Sequence, residues 1–154
     1  YNVHDITVIS DPSQEFLHTY VVNLSKILTM HFKVTEGHEV TIIDSVYGSG
    51  AGGDAQKLVS KAREYKRKTS ELENIIVPKD LTAVHLAVMD SFENIHDALL
   101  FSSEHTTNRY DIAAGIARYM AEHERLEKVL DILGVYYTEK GVTFTVEDKI
   151  YIEE

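Results

Sequence analysis

The sequence has no cysteine, two prolines and no long apolar run. Lack of cysteine excludes disulfides, thiol nucleophiles and thiolate metal sites, but it leaves the compartment open, because domains on either side of a membrane can lack the residue. No stretch approaches the roughly 18 apolar residues of a membrane-spanning helix. Basic residues are also in deficit, with 15 Lys and Arg against 25 Asp and Glu for a net charge of −10. That balance opposes broad contact with a phosphate backbone, although a local basic face can survive in the net field. No nucleophile elbow, no zinc-protease helix motif and no Ser/His/acid grouping is present. There is no internal repeat. The chain opens on Tyr1 rather than Met, so a trimmed or processed chain is expected, with any signal peptide or anchor lying before it.

What is present suffices for one domain, 154 residues of which 44% are hydrophobic. The prolines punctuate it. Asp11-Pro12-Ser13-Gln14 reads as a helix start, with Asp11 as N-cap and Pro12 in the first turn. Phe16, Leu17, Tyr20, Val21, Leu24, Ile27, Leu28 and Phe32 follow at helical spacing, which predicts a helix over about 12–33. Val77-Pro78 stops a second helix, about 54–75, which carries Leu58, Val59, Ala62, Tyr65 and Leu72. Pro78 then starts a third helix, about 79–103, with Leu81, Val84, Val88, Phe92, Ile95 and Leu99 in one stripe. A fourth helix, about 108–133, is capped by Thr107 or Asn108 and ended by Gly134, with Ile112, Ile116, Tyr119, Met120, Leu126, Leu130 and Leu133 as its stripe.

Three segments follow other rules. DITVIS near the N-terminus reads as a short strand. EGHEVTIIDSVYG fits a strand or a short helical turn, and GSGAGGD at 48–54 reads as a loop. After Gly134 the β-branched and aromatic residues around Glu139-Lys140-Gly141 predict a hairpin over about 135–152. It is expected to pair with DITVIS or with an edge from another subunit. The fold class expected is mainly α, a four-helix bundle with a short C-terminal β-hairpin.

With these elements in place, the chain resembles a family of uncharacterised helical-bundle domains of candidate-phyla-type bacteria. The resembling marks are Tyr20, Leu72, Ile75, Val77-Pro78, His85 seven residues later, Gly115-Ile116, Tyr119 and Gly141-Val142-x-Phe144, across roughly 14–146. The resemblance implies an extracytoplasmic domain, usually behind an N-terminal signal or anchor, with no known activity. The charged tail departs from the family's usual ending.

The sharpest chemical signal is a repeated Glu-x-x-His, Glu15/His18 on the first helix and Glu93/His96 on the third. Ferritin-like di-metal bundles use two such motifs facing inward, because residues three apart share a helix face. Here both fall beside the apolar stripes rather than on them, and a solvated surface is the preferred reading. His85 lies beside the Leu81–Val88–Phe92 stripe; a structural imidazole that needs a hydrogen-bond partner is the preferred reading over a ligand or base. Lys57, Lys61, Arg63, Lys66, Arg67 and Lys68 form a candidate contact for anionic lipid, cell-wall polymer or nucleic acid; a solvated face paired with Glu64 and Glu71 is preferred. The glycine loop lacks the Gly-Lys-Ser/Thr ending of a phosphate-binding loop. Asn23-Leu-Ser25 lies mid-helix, so its glycosylation pattern is accidental.

The expectation is a non-enzymatic extracytoplasmic structural or interaction domain of a bacterial envelope protein. It uses no cofactor and no nucleic acid. Its partner is a protein, another copy or an envelope component, and membrane association comes only through a segment outside this chain. The alternatives are a ferritin-like metal-carboxylate bundle acting as oxidase or metal store, with Glu15, His18, Glu93 and His96 as ligands, and an anionic-polymer-binding module.

Overall fold

The structure, a computed structural model, describes residues 1–32, 38–47 and 55–144. It is mainly helical. A strand β1 (Thr7–Ile9) precedes α1 (Gln14–Phe32), α2 (Glu39–Tyr47) and α3 (Ala55–Glu73). Strand β2 (Ile76–Pro78) leads through a 3-10 turn at Lys79–Leu81 into α4 (Thr82–Glu104) and α5 (Arg109–Lys140). Among the described residues no helix is long and apolar enough to cross a membrane.

Cross-helix contacts fix the directions of the long helices. Along α3, the Ala62 carbonyl, Lys66 and the Leu72 carbonyl meet His96, Glu93 and His85 of α4, so the two run antiparallel. Between α4 and α5, Phe101 meets Arg118, Asn94 meets Glu122 and Asp90 meets Arg125, again antiparallel. Tyr20 of α1 lies at the level of His85 and His31 at that of Phe92, so α1 runs with α4. Gly115 marks a close approach, since a Cβ there would collide with Ser102 Oγ. The apolar stripes meet inside. Tyr20, Leu24, Leu58, Tyr65, Leu72, Val88, Phe92, Ile95, Leu99, Tyr119, Leu126 and Leu133 share one buried cluster.

The structure corrects several expectations at element ends. The first helix begins at Gln14, where Ser13 Oγ accepts from the Phe16 N–H at 3.2 Å, so Ser13 rather than Asp11 is the cap. Within the ambiguous segment, Glu39–Tyr47 forms α2, because the burial of His38, Glu39 and Ile42 follows helical and not alternating spacing. Pro78 does not start the third helix. It ends β2, where Val77 takes the extended geometry that a following proline favours, and the helix begins at Thr82. Asn108 caps α5 through its bond from the Tyr110 N–H. Met120, assigned to the stripe, is 46% exposed.

Among the described residues the C-terminal hairpin is absent. Residues 135–140 continue α5, because Tyr137 falls one turn after Leu133 and both are buried, and burial on a helical period outweighs strand propensity. Gly141, at φ 64°, is the helix stop in place of Gly134. The Gly141 and Val142 N–H groups bond the Thr138 and Tyr137 carbonyls, a Schellman ending. Strand β1 exists as DITVIS suggests, but it pairs in parallel with β2, Val8 opposite Val77, and not with the tail. The expected loop at 48–54 and the rest of the hairpin beyond 144 lie outside the described residues.

Phe92 is fully buried and meets the Tyr65 ring edge-on at 5.2 Å. Phe92→Ala should cost about 3–5 kcal/mol of unfolding free energy, read from denaturant midpoints. A shift no larger than that of a surface substitution would refute its place in the core.

Candidate functional site

The start of α2 carries the least expected side chain of the molecule. His38 caps this helix: its Nδ1 accepts from the Val40 N–H at 3.3 Å, and its carbonyl accepts from the Ile42 N–H and the Thr41 hydroxyl. Glu39 opens the first turn, where the helix dipole favours an anion. Its direction is inward, with 0% exposure. A buried carboxylate without partners is very costly, so its surroundings must supply donors.

They do, from several elements. Glu39 Oε1 accepts from the Tyr65 hydroxyl of α3 and, at 2.9 Å, from the Tyr119 hydroxyl of α5. His31 Nδ1 of α1 lies 2.7 Å from the Tyr65 oxygen and 3.5 Å from Glu39 Oε1. Because the Tyr65 hydrogen points to the carboxylate, His31 must donate from Nδ1. Its Nε2 is then an acceptor, and His123 Nδ1 of α5 donates to it at 2.9 Å. His38 Nε2 donates to the His31 carbonyl at 2.7 Å. The far nitrogen of half-buried His123 lies 3.4 Å from Glu127. The result is a directed chain, His123 to His31 to Tyr65 to Glu39. Among the described residues, Glu39 Oε2 has no hydrogen-bond partner.

This environment sets the titration of its members. Burial by itself would raise the Glu39 carboxyl, but donors from His31 and Tyr65, the neighbouring His38 and its own backbone more than offset that. They hold it at about 2 against an ordinary 4.5. Burial lowers His31 below 6.5, against the opposing pull of Glu39, with His123 and His38 adding to the lowering. Burial also pushes the Tyr65 and Tyr119 hydroxyls up, and the Glu39 charge adds to it. The chain therefore holds an anionic carboxylate, neutral tyrosines and a neutral His31.

A second, smaller pair lies toward the other end of the helices. His85 is fully buried, with Nε2 donating to the Leu72 carbonyl at 3.1 Å and Nδ1 accepting from the Tyr20 hydroxyl at 3.0 Å. Burial lowers it below 6.5, partly opposed by the bond to Leu72. It ties α1, α3 and α4 together.

The residues singled out from the sequence are placed elsewhere. Glu15 is exposed and His18 stacks on Phe144, with ring centroids 6.0 Å apart. Glu93 pairs with Lys66 at 2.7 Å, while His96 Nδ1 bonds the Ala62 carbonyl at 2.9 Å. The two Glu-x-x-His motifs thus have different partners. Among the described residues no group of three or more His, Asp or Glu is arranged to hold a metal ion. In the basic run, Lys61 pairs with Glu64, while Arg67 and Lys68 both pair with Glu71. Lys57 and Arg63 lie on the same helix.

Sequence reasoning missed the Glu39 cluster because a glutamate is rarely fully buried and the segment's period was ambiguous. One signal was available: Tyr65 and Tyr119 both lie on apolar stripes, and a buried hydroxyl needs a partner. Comparison of the chain with protein-family models, curated proteins and solved structures finds no match to any of them.

Stability should fall with acidification in two stages. His31 and His85 are held below 6.5, so below that pH the unfolded chain takes up protons first and stability declines. Glu39 adds a second decline as pH drops from 4.5 toward about 2, worth about 3 kcal/mol over the whole range. Glu39→Gln should therefore cost about that much at pH 7 and progressively less below 4.5. Urea midpoints of both proteins across pH check this; equal pH dependence in the two would refute it.

Proposed function

We propose that the chain is a non-enzymatic structural or interaction domain, a four-helix bundle of α1, α3, α4 and α5 with α2 as an accessory helix. The observation that carries this reading is the state of Glu39. General acid or base work needs a group that titrates near the working pH and reaches a substrate. Glu39 is shut from solvent and accepts from the Tyr65 and Tyr119 hydroxyls of two other helices, so it serves as a tie between helices. The alternating directions of the four long helices support the bundle. A setting in the bacterial envelope, outside the cytoplasm, rests on the resemblance described above. The partner would be a protein, either another copy or an envelope component.

Two alternatives have less support. A ferritin-like metal centre would use Glu15, His18, Glu93 and His96, but Glu93 is engaged by Lys66 and His96 by a backbone carbonyl. An anionic-polymer site on α3 would have to break the pairs of Lys61, Lys66, Arg67 and Lys68 with acidic neighbours.

Metal analysis of protein purified without supplementation should find iron and manganese far below one per chain, and binding to anionic polymer should be negligible at about 0.1 M salt. Stoichiometric metal would favour the ferritin-like reading. Salt-dependent polymer binding would favour the α3 reading.

A further inference from the structure

Among the described residues, no element covers the apolar side chains on the outer face of α5. Met120 is 46% exposed, Ile132 52% and Val135 60%. With Ala117, Glu124 and Lys128, all exposed, they follow at spacings of three and four and so share one face. Among these six the order is apolar, acidic, basic, apolar; exposed Asp131 lies on the same face and in the register below meets Ala121, with no like charge opposite. That order is self-complementary under a twofold axis. When a second α5 is laid antiparallel with its centre opposite residue 126, Glu124 of each copy faces Lys128 of the other. In the same register Met120 faces Ile132 and Ala117 faces Val135. Apolar meets apolar on both flanks, and opposite charges meet at the centre.

We propose that a second copy of this chain docks here, through an antiparallel α5–α5 contact. This rests on reading the chain as a structural or interaction domain and names its partner. An isologous twofold contact is the commonest form of association and needs only one self-complementary patch. The small Ala117 lets the two helices approach closely, while Met120, Ile132 and Val135 supply the apolar area that leaves water. The central charges choose direction and register. A parallel pairing would set Glu124 against Glu124 and Lys128 against Lys128, which is repulsive. One helix face is a small interface by the standards of permanent dimers, so association depends on concentration.

Sedimentation equilibrium of the whole chain over a range of concentrations tests this. The expected result is a shift from 17.5 kDa toward twice that mass as concentration rises. Lys128→Glu should weaken association at least tenfold, because each copy then sets like charges together. Adding Glu124→Lys to that variant should restore association, since both cross-pairs are then reversed. Ile132→Asp should weaken it without altering the helical circular dichroism. A chain that stays monomeric, or one whose association ignores Lys128→Glu and Ile132→Asp, overturns the proposal, as does failure of the charge swap to restore it. Metal content of the same preparation tests the broader reading separately. A metal-free monomer removes this contact and leaves that reading standing, whereas stoichiometric metal removes the reading whatever the mass.

Discussion

Glu39 is a carboxylate with no access to water, and the positions of its neighbours are tied to its need for donors. Two tyrosines from α3 and α5 donate to one of its oxygens, a histidine from α1 donates to one of those tyrosines, and a second histidine from α5 donates to the first. A buried charge is tolerated only when it is paired and hydrogen-bonded. Movement of α1, α3 or α5 relative to α2 would strand a donor or the carboxylate, and the cost of a stranded buried group exceeds that of a typical lost contact. The cluster therefore acts through the penalty for misplacing its parts.

The same logic recurs in milder form at His85. There a neutral imidazole bridges a carbonyl and a hydroxyl, and the three helices that carry them cannot slide without leaving a buried polar atom unpaired. The two polar ties are set in one apolar core that includes Phe92, Leu126 and Leu133. Apolar packing is tolerant of small shifts, whereas directed bonds are not. Core area drives collapse, and the polar ties select one arrangement from those that collapse alone would permit.

The surface reads differently. Acidic and basic residues on α3 and α4 form short pairs that are solvated and contribute little to stability. The outer face of α5 breaks this pattern by leaving apolar side chains open to water, which is where a contact between molecules would draw its driving force. A long helix with one side in the core has its other side available for association, and here that side carries a pattern compatible with itself.

The helices over Phe16–Phe32, Leu58–Leu72, Leu81–Leu99 and Ile112–Leu133 were legible in the sequence because hydrophobic spacing of three and four is a local signal, set by helix geometry. His85 was legible for a related reason, as a polar group beside an apolar stripe. Strand β1 could be read from its residues, but its partner could not, since pairing with Ile76–Pro78 depends on where α1 and α3 bring the two segments. The extension of α5 through Tyr137 was hidden, because Val135, Tyr136 and Tyr137 favour strands and only the core that Tyr136 and Tyr137 meet makes the segment helical. Glu39 was hidden most completely. Sequence determines that this residue is charged; burial beside Tyr65, Tyr119 and His31, from three different helices, is decided only when those helices pack and exclude water from it.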